Sequence, residues 1–335
     1  MKASKLSAEQ RDRIQVIRGL AIIAVVFIHS TPDFSPGVEI FFKPFVNFAV
    51  GTFLFLSGML SDAGCWNPAK RIKKVLVPYV VWSLIYAIIN SRFKMGIIPF
   101  LVLYGKYLLL GTGATMFYYI FVYCELTLLI PLIDRLAHSK YRMLGFTISP
   151  LEIVSFRVIP MLLGISLHPY LRTIIRVLCL GWFSYFYLGY LLGNGLITIR
   201  CSRKQICAFL TAAVVLQMIE GYLYYLAGSK SAGTQVKLSA VLTGCVFCAL
   251  IYEYIFYGTK LRYDKVCQLM KCIGDNSFGI FFCHIAVMKL ETSIIPALNN
   301  DVFFPLKALL TVFVSLAFAT IIHNSLGKYS KFLGC

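Results

Sequence analysis

The chain has 335 residues, of which 59% are hydrophobic and only 14% are charged. An average soluble domain has about 25% charged residues, so this composition excludes a soluble globule and is typical of a polytopic membrane protein. The formal net charge of +18 could indicate nucleic-acid binding, but the cations lie in short segments between apolar runs, a distribution that sets membrane topology. We therefore expect no nucleic-acid partner.

Ten apolar runs long enough to cross a bilayer follow one another along the chain. A spanning helix needs about 20 apolar residues, and run length favours helices over strands here. The predicted spans are 14–32, 38–60, 75–91, 115–136, 150–168, 172–194, 205–227, 236–258, 273–293 and 304–325. The shorter run 97–110, interrupted by Lys106, is predicted to be a re-entrant or interfacial piece on the outer side. We thus expect an all-α membrane bundle of about ten transmembrane helices, forming one integral domain over 1–335 with no appended soluble domain.

Lysine and arginine residues indicate the orientation of the bundle. Most of the 32 Lys and Arg residues fall in alternate segments that would all lie on one side of the membrane, and such an excess marks the cytoplasmic side. We therefore predict that both termini are cytoplasmic. None of the 11 cysteines lies in a predicted outer loop, so we expect no disulfide framework, and no Cys or His spacing resembles a metal site.

The first span, "RGLAIIAVVFIHS", carries a cation and an imidazole. Arg18 and His29 are eleven residues apart, which is about 16 Å and three helical turns, so both lie on nearly the same face. An ionisable residue at the centre of a membrane helix costs about 2.5–3.5 kcal/mol on insertion scales, which makes it a functional candidate. The alternative is that Arg18 only anchors the helix at the inner headgroups and His29 only packs. Their shared face favours a functional pair.

Two further motifs lie near the inner membrane surface. In "FLFLSGML", Ser57 can form a hydrogen bond across helices and Gly58 allows close backbone approach, which alone indicates packing. In "AKRIKKVLVPYVVWS", Arg71 and Lys74 are three residues apart and share a helix face. These two cations either set topology only or bind phosphate groups.

Ionisable residues also occur in later spans. They are Glu125, Arg157, Glu220 and His284, the last of which closes the segment "GDNSFGIFFCHI". Structural ion pairs, a relay and the lining of a cavity all remain open for them.

Taken in order, these motifs resemble those of the integral-membrane acyltransferase-3 family, which includes bacterial O-acyltransferases of cell-surface glycans. The segments that carry the resemblance are "RGLAIIAVVFIHS", "FLFLSGML", "RIKKVLVPYVVWS", "YYIFVYCELTLLIPLI" and "GDNSFGIFFCHI", within about residues 11–325. The chain departs from the family pattern at Gln15, where Asp is frequent, at Lys74, where Arg is frequent, and at Glu125, where a neutral polar residue is expected.

The resemblance implies transfer of a short acyl group, most often acetyl, from cytoplasmic acyl-CoA to a hydroxyl group of a cell-surface glycan or of its lipid-linked precursor. Acyl-CoA is then a co-substrate, and no permanently bound cofactor is implied. The other expected partners are the lipid bilayer, the acceptor saccharide and proteins of glycan assembly. The expected location is the cytoplasmic membrane of a bacterium.

The same resemblance implies roles for individual residues. Arg71 and Lys74 would bind the phosphates of CoA, with Arg18 further into the bundle. His29 would act as the general base on the acceptor hydroxyl, because imidazole exchanges a proton near neutral pH. The supporting residues would be Ser57, Gly58, Glu125 and His284, and no metal ligand is expected.

Two other functions also fit an ionisable membrane bundle. A transporter or flippase for a lipid-linked saccharide predicts discontinuous helices in paired halves, with an internal repeat that the sequence does not show. A non-catalytic sensor or scaffold could use the same bundle to bind partners. Neither requires a basic pair beside a histidine-bearing first span.

The orientation can be tested with single cysteines introduced at positions 71 and 230. We expect a membrane-impermeant thiol reagent added to intact cells to label Lys230→Cys and to leave Arg71→Cys protected, with the unsubstituted chain as background. Labelling of position 71 from outside would contradict the cytoplasmic assignment of the basic segment.

Overall fold

A computed structural model describes residues 6–31, 35–91 and 94–335. These ranges contain fourteen helices and no strands. In chain order the helices are α1 (Ala8–Ser30), α2 (Val38–Met59), α3 (Pro68–Ser91), α4 (Ile97–Leu110), α5 (Thr115–Leu128), α6 (Ile130–His138), α7 (Arg142–Leu162), α8 (Pro169–Val177), α9 (Leu180–Gly193), α10 (Arg203–Leu226), α11 (Leu238–Tyr257), α12 (Lys265–Asp275), α13 (Ser277–Ile294) and α14 (Phe304–Leu333). The predicted all-α fold is confirmed.

The number of membrane spans depends on how two bent helix pairs are counted. Within the described ranges, eight helices are long and apolar enough to cross a membrane, and the total is up to ten if each bent pair forms one span. The pairs are α4 with α5, bent by 43°, and α8 with α9, bent by 42°. The chain is therefore a multi-pass membrane protein, and the prediction of about ten spans is confirmed.

The first bent pair includes the short run that the sequence predicts to be re-entrant or interfacial. Helix α4 ends at Leu110, because Gly111 follows in the left-handed conformation (φ 61°), which glycine adopts without steric cost. The next helix starts at Thr115. This bent geometry is that of either a broken span or a re-entrant segment.

Several other predicted spans have different boundaries in the structure, and two of them differ because of a helix break. The predicted span 172–194 is interrupted after Val177, where Leu178 has an extended backbone. The predicted span 273–293 begins at Ser277, since Asp275 ends the preceding helix. Residue 32, the last of the first predicted span, lies outside the described residues.

Side-chain contacts define two opposite ends of the bundle. At one end, which we call the Arg71 end, α3 begins beside the end of α2, where Arg71 Nη1 donates to Ser61 Oγ over 2.8 Å. At the other, which we call the His29 end, α1, α3 and α13 end around a cavity that the first turn of α14 also lines. A ligand that reaches both ends must therefore extend along the bundle.

Glycines bring helix backbones into direct contact at two crossings. A Cβ atom on Gly58 of α2 would lie 2.1 Å from the Phe186 carbonyl oxygen of α9, and one on Gly189 would lie 2.1 Å from the Phe55 carbonyl oxygen. A Cβ atom on Gly19 of α1 would likewise lie 2.2 Å from the Met270 carbonyl oxygen of α12. Small residues commonly allow membrane helices to pack this closely.

Polar contacts also hold α1 against α12 at the Arg71 end. Lys271 Nζ lies 2.7 Å from Asp12 Oδ1. The hydrogen bond that Lys271 donates to the Asp12 carboxylate raises the pKa of the Lys271 ammonium, so this cation stays charged in the fold. The first half of α1, which contains Arg18, is therefore fixed to its neighbour by both a charge and a glycine contact.

Gly58→Ala tests the backbone contact. We expect it to destabilise the protein by at least about 1–3 kcal/mol, because neither helix backbone can move aside without loss of packing. Gly105→Ala is the matched control: Gly105 of α4 has no atom near its Cβ position, so alanine should stabilise its helix by about 0.5–1 kcal/mol. Thermal unfolding of both variants in detergent measures the difference, and equal midpoints for the two would contradict the close contact.

Candidate active site

Two histidines and a threonine from three different helices meet at the His29 end. The ring centroids of His29, in the last turn of α1, and His284, in α13, are 5.4 Å apart. Thr115 Oγ1, at the start of α5, lies 3.4 Å from His29 Nδ1. Two of the residues predicted from sequence are thus brought together, although 255 positions of chain separate them.

The backbone determines which nitrogen of His284 carries the proton. His284 Nδ1 lies 3.0 Å from the Ile280 carbonyl oxygen and 2.7 Å from the Phe281 carbonyl oxygen. Because carbonyl oxygens only accept hydrogen bonds, Nδ1 must carry the hydrogen, and in the neutral ring Nε2 has a free lone pair. Nε2 is buried and has no hydrogen-bond partner among the described residues. His284 therefore presents a fixed acceptor inside the bundle.

A cavity of about 630 Å³ opens beside His29. Its volume falls within the range of about 300–1,000 Å³ typical of small-molecule sites. The lining residues are His29, Ile89, Asn90, Ile285, Met288, Lys289, Thr292, Ser293 and Lys307. His29 is half-buried, so its ring borders both the cavity and the interior of the bundle.

Arg18 lies three turns from His29 towards the Arg71 end, with a neutral partner. Its Nη1 donates to Gln15 Oε1 over 3.4 Å. Gln15 is one of the positions that depart from the family pattern, and a carboxylate there would have neutralised the guanidinium. Arg18 has no ion pair with any described residue. Asp275 of α12 lies within electrostatic reach of the guanidinium but outside ion-pair distance, so Arg18 retains N–H donors for a ligand.

Between Arg18 and His29 lies Tyr119, which belongs to the segment "YYIFVYCELTLLIPLI" but received no role in the sequence analysis. Its hydroxyl group lies beside the Ser57 hydroxyl and within electrostatic reach of Arg18. Its ring centroid is 5.6 Å from that of Phe281, which is three residues before His284. Ser57, Tyr119 and Phe281 thus connect the predicted cation site to the histidine pair.

Arg71 and Lys74 differ in their surroundings. Arg71 is half-buried, and its guanidinium donates to Ser61 Oγ and, over 3.5 Å, to the Ser57 carbonyl oxygen. Lys74 is exposed on the next turn. Arg71 is therefore held against the Ser57 motif, whereas the side chain of Lys74 is exposed at the surface of the bundle.

Ser57 and Gly58 have separate functions in the fold. Gly58 faces α9 and permits the backbone contact described above. Ser57, about 100° around the helix from it, points to the interior where Arg71 and Tyr119 approach. The glycine thus fixes the helix that presents the serine.

Glu125 lies away from the histidine pair and stabilises a helix break. Its Oε2 accepts a hydrogen bond from the backbone N–H of Cys179 over 2.7 Å. Cys179 lies between α8 and α9, where the helical hydrogen bonds are interrupted. Arg176 makes a reciprocal contact, donating from Nη2 to the Gly111 carbonyl oxygen at the other break over 3.3 Å. The two bends therefore hold each other in place.

Several residues at the His29 end were missed by sequence reasoning. They are Asn90, Thr115, Lys289 and Lys307. Thr115 and Asn90 carry no sequence signal, because single polar residues are common at helix ends. The two lysines do carry one: they lie in the half of the protein predicted to be outside, where the positive-inside rule disfavours cations.

The described residues contain no group of three or more His, Cys, Asp or Glu side chains that could hold a metal ion. A family model described as an acyltransferase domain matches residues 11–324, nearly the whole chain. No curated protein and no solved structure matches the chain.

Proposed function

The chain belongs to the acyltransferase-3 family, whose model matches residues 11–324, and we propose that it transfers a short acyl group, such as acetyl, from cytoplasmic acyl-CoA to a hydroxyl group of a glycan. The glycan is a cell-surface polysaccharide or its lipid-linked precursor, and the membrane is the bacterial cytoplasmic membrane. Family membership and the apolar helices make the chain a multi-pass membrane acyltransferase. Donor, acceptor and residue roles belong to the proposal.

One observation carries the proposal: His29, whose ring contacts that of His284, borders a cavity at the His29 end, while Arg18 and Arg71 lie towards the opposite end. Acyl-CoA has a phosphate-rich head and a long thin arm that ends in the thioester. A donor whose head is bound at the Arg71 end would therefore direct its thioester towards His29. An acceptor in the cavity would meet it there.

The donor head is proposed to bind Arg71, Lys74 and Arg18. Arg71 is half-buried and directed by its two serine contacts, and it still has N–H groups for a phosphate. Among the described residues, Arg18 has only the neutral Gln15 as a hydrogen-bond partner. Guanidinium groups bind phosphate oxygens through charged hydrogen bonds, which are stronger than neutral ones.

His29 is proposed to act as the general base. Its imidazole accepts the proton of the acceptor hydroxyl as that oxygen attacks the thioester carbonyl carbon. The new C–O bond forms, the C–S bond breaks, and the proton passes from the imidazolium to the departing CoA thiolate. His284 and Thr115 orient the ring of His29, since they are its polar neighbours in the described structure.

The bent helices also fit an alternative function, which is the transport of a lipid-linked saccharide. Discontinuous helices are frequent in transporters, and two bent pairs occur here. Their bends are held against each other by Glu125 and Arg176. Because the family match covers nearly the whole chain, acyl transfer remains the function that we propose.

Arg71→Ala tests the donor site. We expect acyl-CoA to bind about tenfold more weakly or worse, because a lost charged hydrogen bond is worth about 1.5–3 kcal/mol. Isothermal titration with CoA measures this. Lys70→Ala, which removes an exposed cation of the same segment, should bind like the wild type. Equal affinities for all three proteins would mean that Arg71 only sets topology and packs.

His29→Ala tests the base. We expect acyl transfer to fall by about 10²–10⁴-fold, with expression and CoA affinity near the wild-type level, because His29 lies far from the donor head. Mass spectrometry of surface glycans from producing cells reports the transferred groups. His168→Ala, which removes an exposed histidine, is the control. Near-normal acylation by a folded His29→Ala protein would leave His284 as the better candidate.

A further inference from the structure

The cavity beside His29 contains two lysines that the acyl-transfer step does not use. Lys289, near the end of α13, is exposed, and its Nζ donates to Asn90 Oδ1 over 2.7 Å. Lys307, in the first turn of α14, is almost completely buried, and its Nζ donates to Asn299 Oδ1 over 3.0 Å. Each ammonium has three N–H donors, so both retain donors for a ligand.

Neither lysine is neutralised by the described residues. Both have amide oxygens as partners, and neither has a carboxylate within ion-pair distance. Glu291 lies within electrostatic reach of Lys307, but its Oε2 accepts a hydrogen bond from Thr311 Oγ1 over 2.6 Å. A single carboxylate therefore accompanies two cations.

Another cation near His29 shows the contrast. Lys43 lies within electrostatic reach of the histidine, and it forms an ion pair with Glu39 on its own helix. Because Lys43 is paired with Glu39, its charge is compensated within the protein. Lys289 and Lys307, by contrast, form no ion pair with any described residue.

Topology does not account for these lysines. In the predicted orientation they lie in the outer half, where lysine is disfavoured, and a cation within the membrane region has a free-energy cost unless it meets a counter-charge. Lysine binds anions as a point charge. The same wall carries Asn90, Thr292 and Ser293, whose amide and hydroxyl groups suit the hydroxyl groups of a sugar.

We propose that the cavity binds an anionic acceptor, a saccharide whose carboxylate or phosphate group pairs with Lys289 and Lys307 while one of its hydroxyl groups reaches His29. This inference rests on the proposed function and adds the chemical class of the acceptor. A neutral sugar would leave the two cations with Glu291 as the one carboxylate of the described residues within their electrostatic reach. The lysines thus select the acceptor and take no part in the proton transfer.

The test uses surface glycans from cells that produce the full chain or a variant. The glycans are separated by anion exchange into neutral and anionic fractions, and the ester-linked acyl groups of each are quantified by mass spectrometry. We expect the acyl groups that depend on the protein to lie in the anionic fraction. Uronate and phosphate analyses of that fraction then distinguish the two sources of the anion.

Substitutions of the two lysines test whether acylation of the anionic fraction depends on the cavity. We expect Lys289→Gln to lower protein-dependent acylation about tenfold or more, through loss of a charged contact, and Lys289→Arg to retain most of it. Lys307→Gln should have a similar effect, and Lys289→Gln provides the test should the buried variant not fold. Lys230→Gln, which removes an exposed cation outside the cavity, should match the wild type.

Three outcomes would overturn the inference. Protein-dependent acylation of the neutral fraction would show that the acceptor is not anionic, and it would leave the acyltransferase proposal intact. Unchanged acylation of anionic glycan by both glutamine variants would remove the lysines as its binding groups. No protein-dependent acylation in either fraction would overturn the proposed function itself, together with the inference that rests on it.

Discussion

Contact between helix backbones at glycine determines where the polar side chains of this bundle lie. Gly19 directly follows Arg18, and Gly58 directly follows Ser57. At each glycine a single added carbon would overlap a carbonyl oxygen of the neighbouring helix. The rotation of α1 and α2 is therefore fixed, and the preceding arginine and serine project into the same interior space. Membrane helices have little hydrophobic drive to associate, so such contacts matter more than in water.

The second constraint is that backbone N–H and carbonyl groups within the lipid need hydrogen-bond partners in the protein. A broken helix exposes N–H and carbonyl groups that no water can reach within the hydrocarbon core. Glu125, in the α4–α5 pair, accepts a hydrogen bond from the backbone at the break between α8 and α9. Arg176, in the α8–α9 pair, donates one to the backbone at the break between α4 and α5. This exchange places the start of α5, and with it Thr115, at a defined position against His29. A carboxylate at 125, unexpected for the family, thus has a structural explanation.

The sequence predicted the helical architecture well because apolar run length is a property of each segment alone. It also predicted that Arg18 and His29 share a face, since helical spacing is local. It could not predict that His284 would lie beside His29, or that Tyr119 would lie between Ser57 and Phe281, because periodicity gives the face of a helix without its partner. Lys289 and Lys307 lie in the half of the protein where the charge asymmetry used for orientation predicts few cations. This departure was the signal by which the sequence could have identified them.

The aromatic contact of Tyr119 with Phe281 has a consequence for the membrane as a barrier. A polar route open from Arg18 to the cavity at His29 would conduct protons and small ions, and would dissipate the membrane potential. Phe53 packs on Tyr119 as well, with ring centroids 6.5 Å apart. These rings place apolar surface between Arg18 and His29, and apolar constrictions close pores by excluding water. The arm of the donor that we propose would have to pass these rings, and in its absence their apolar surface would oppose the leakage of ions.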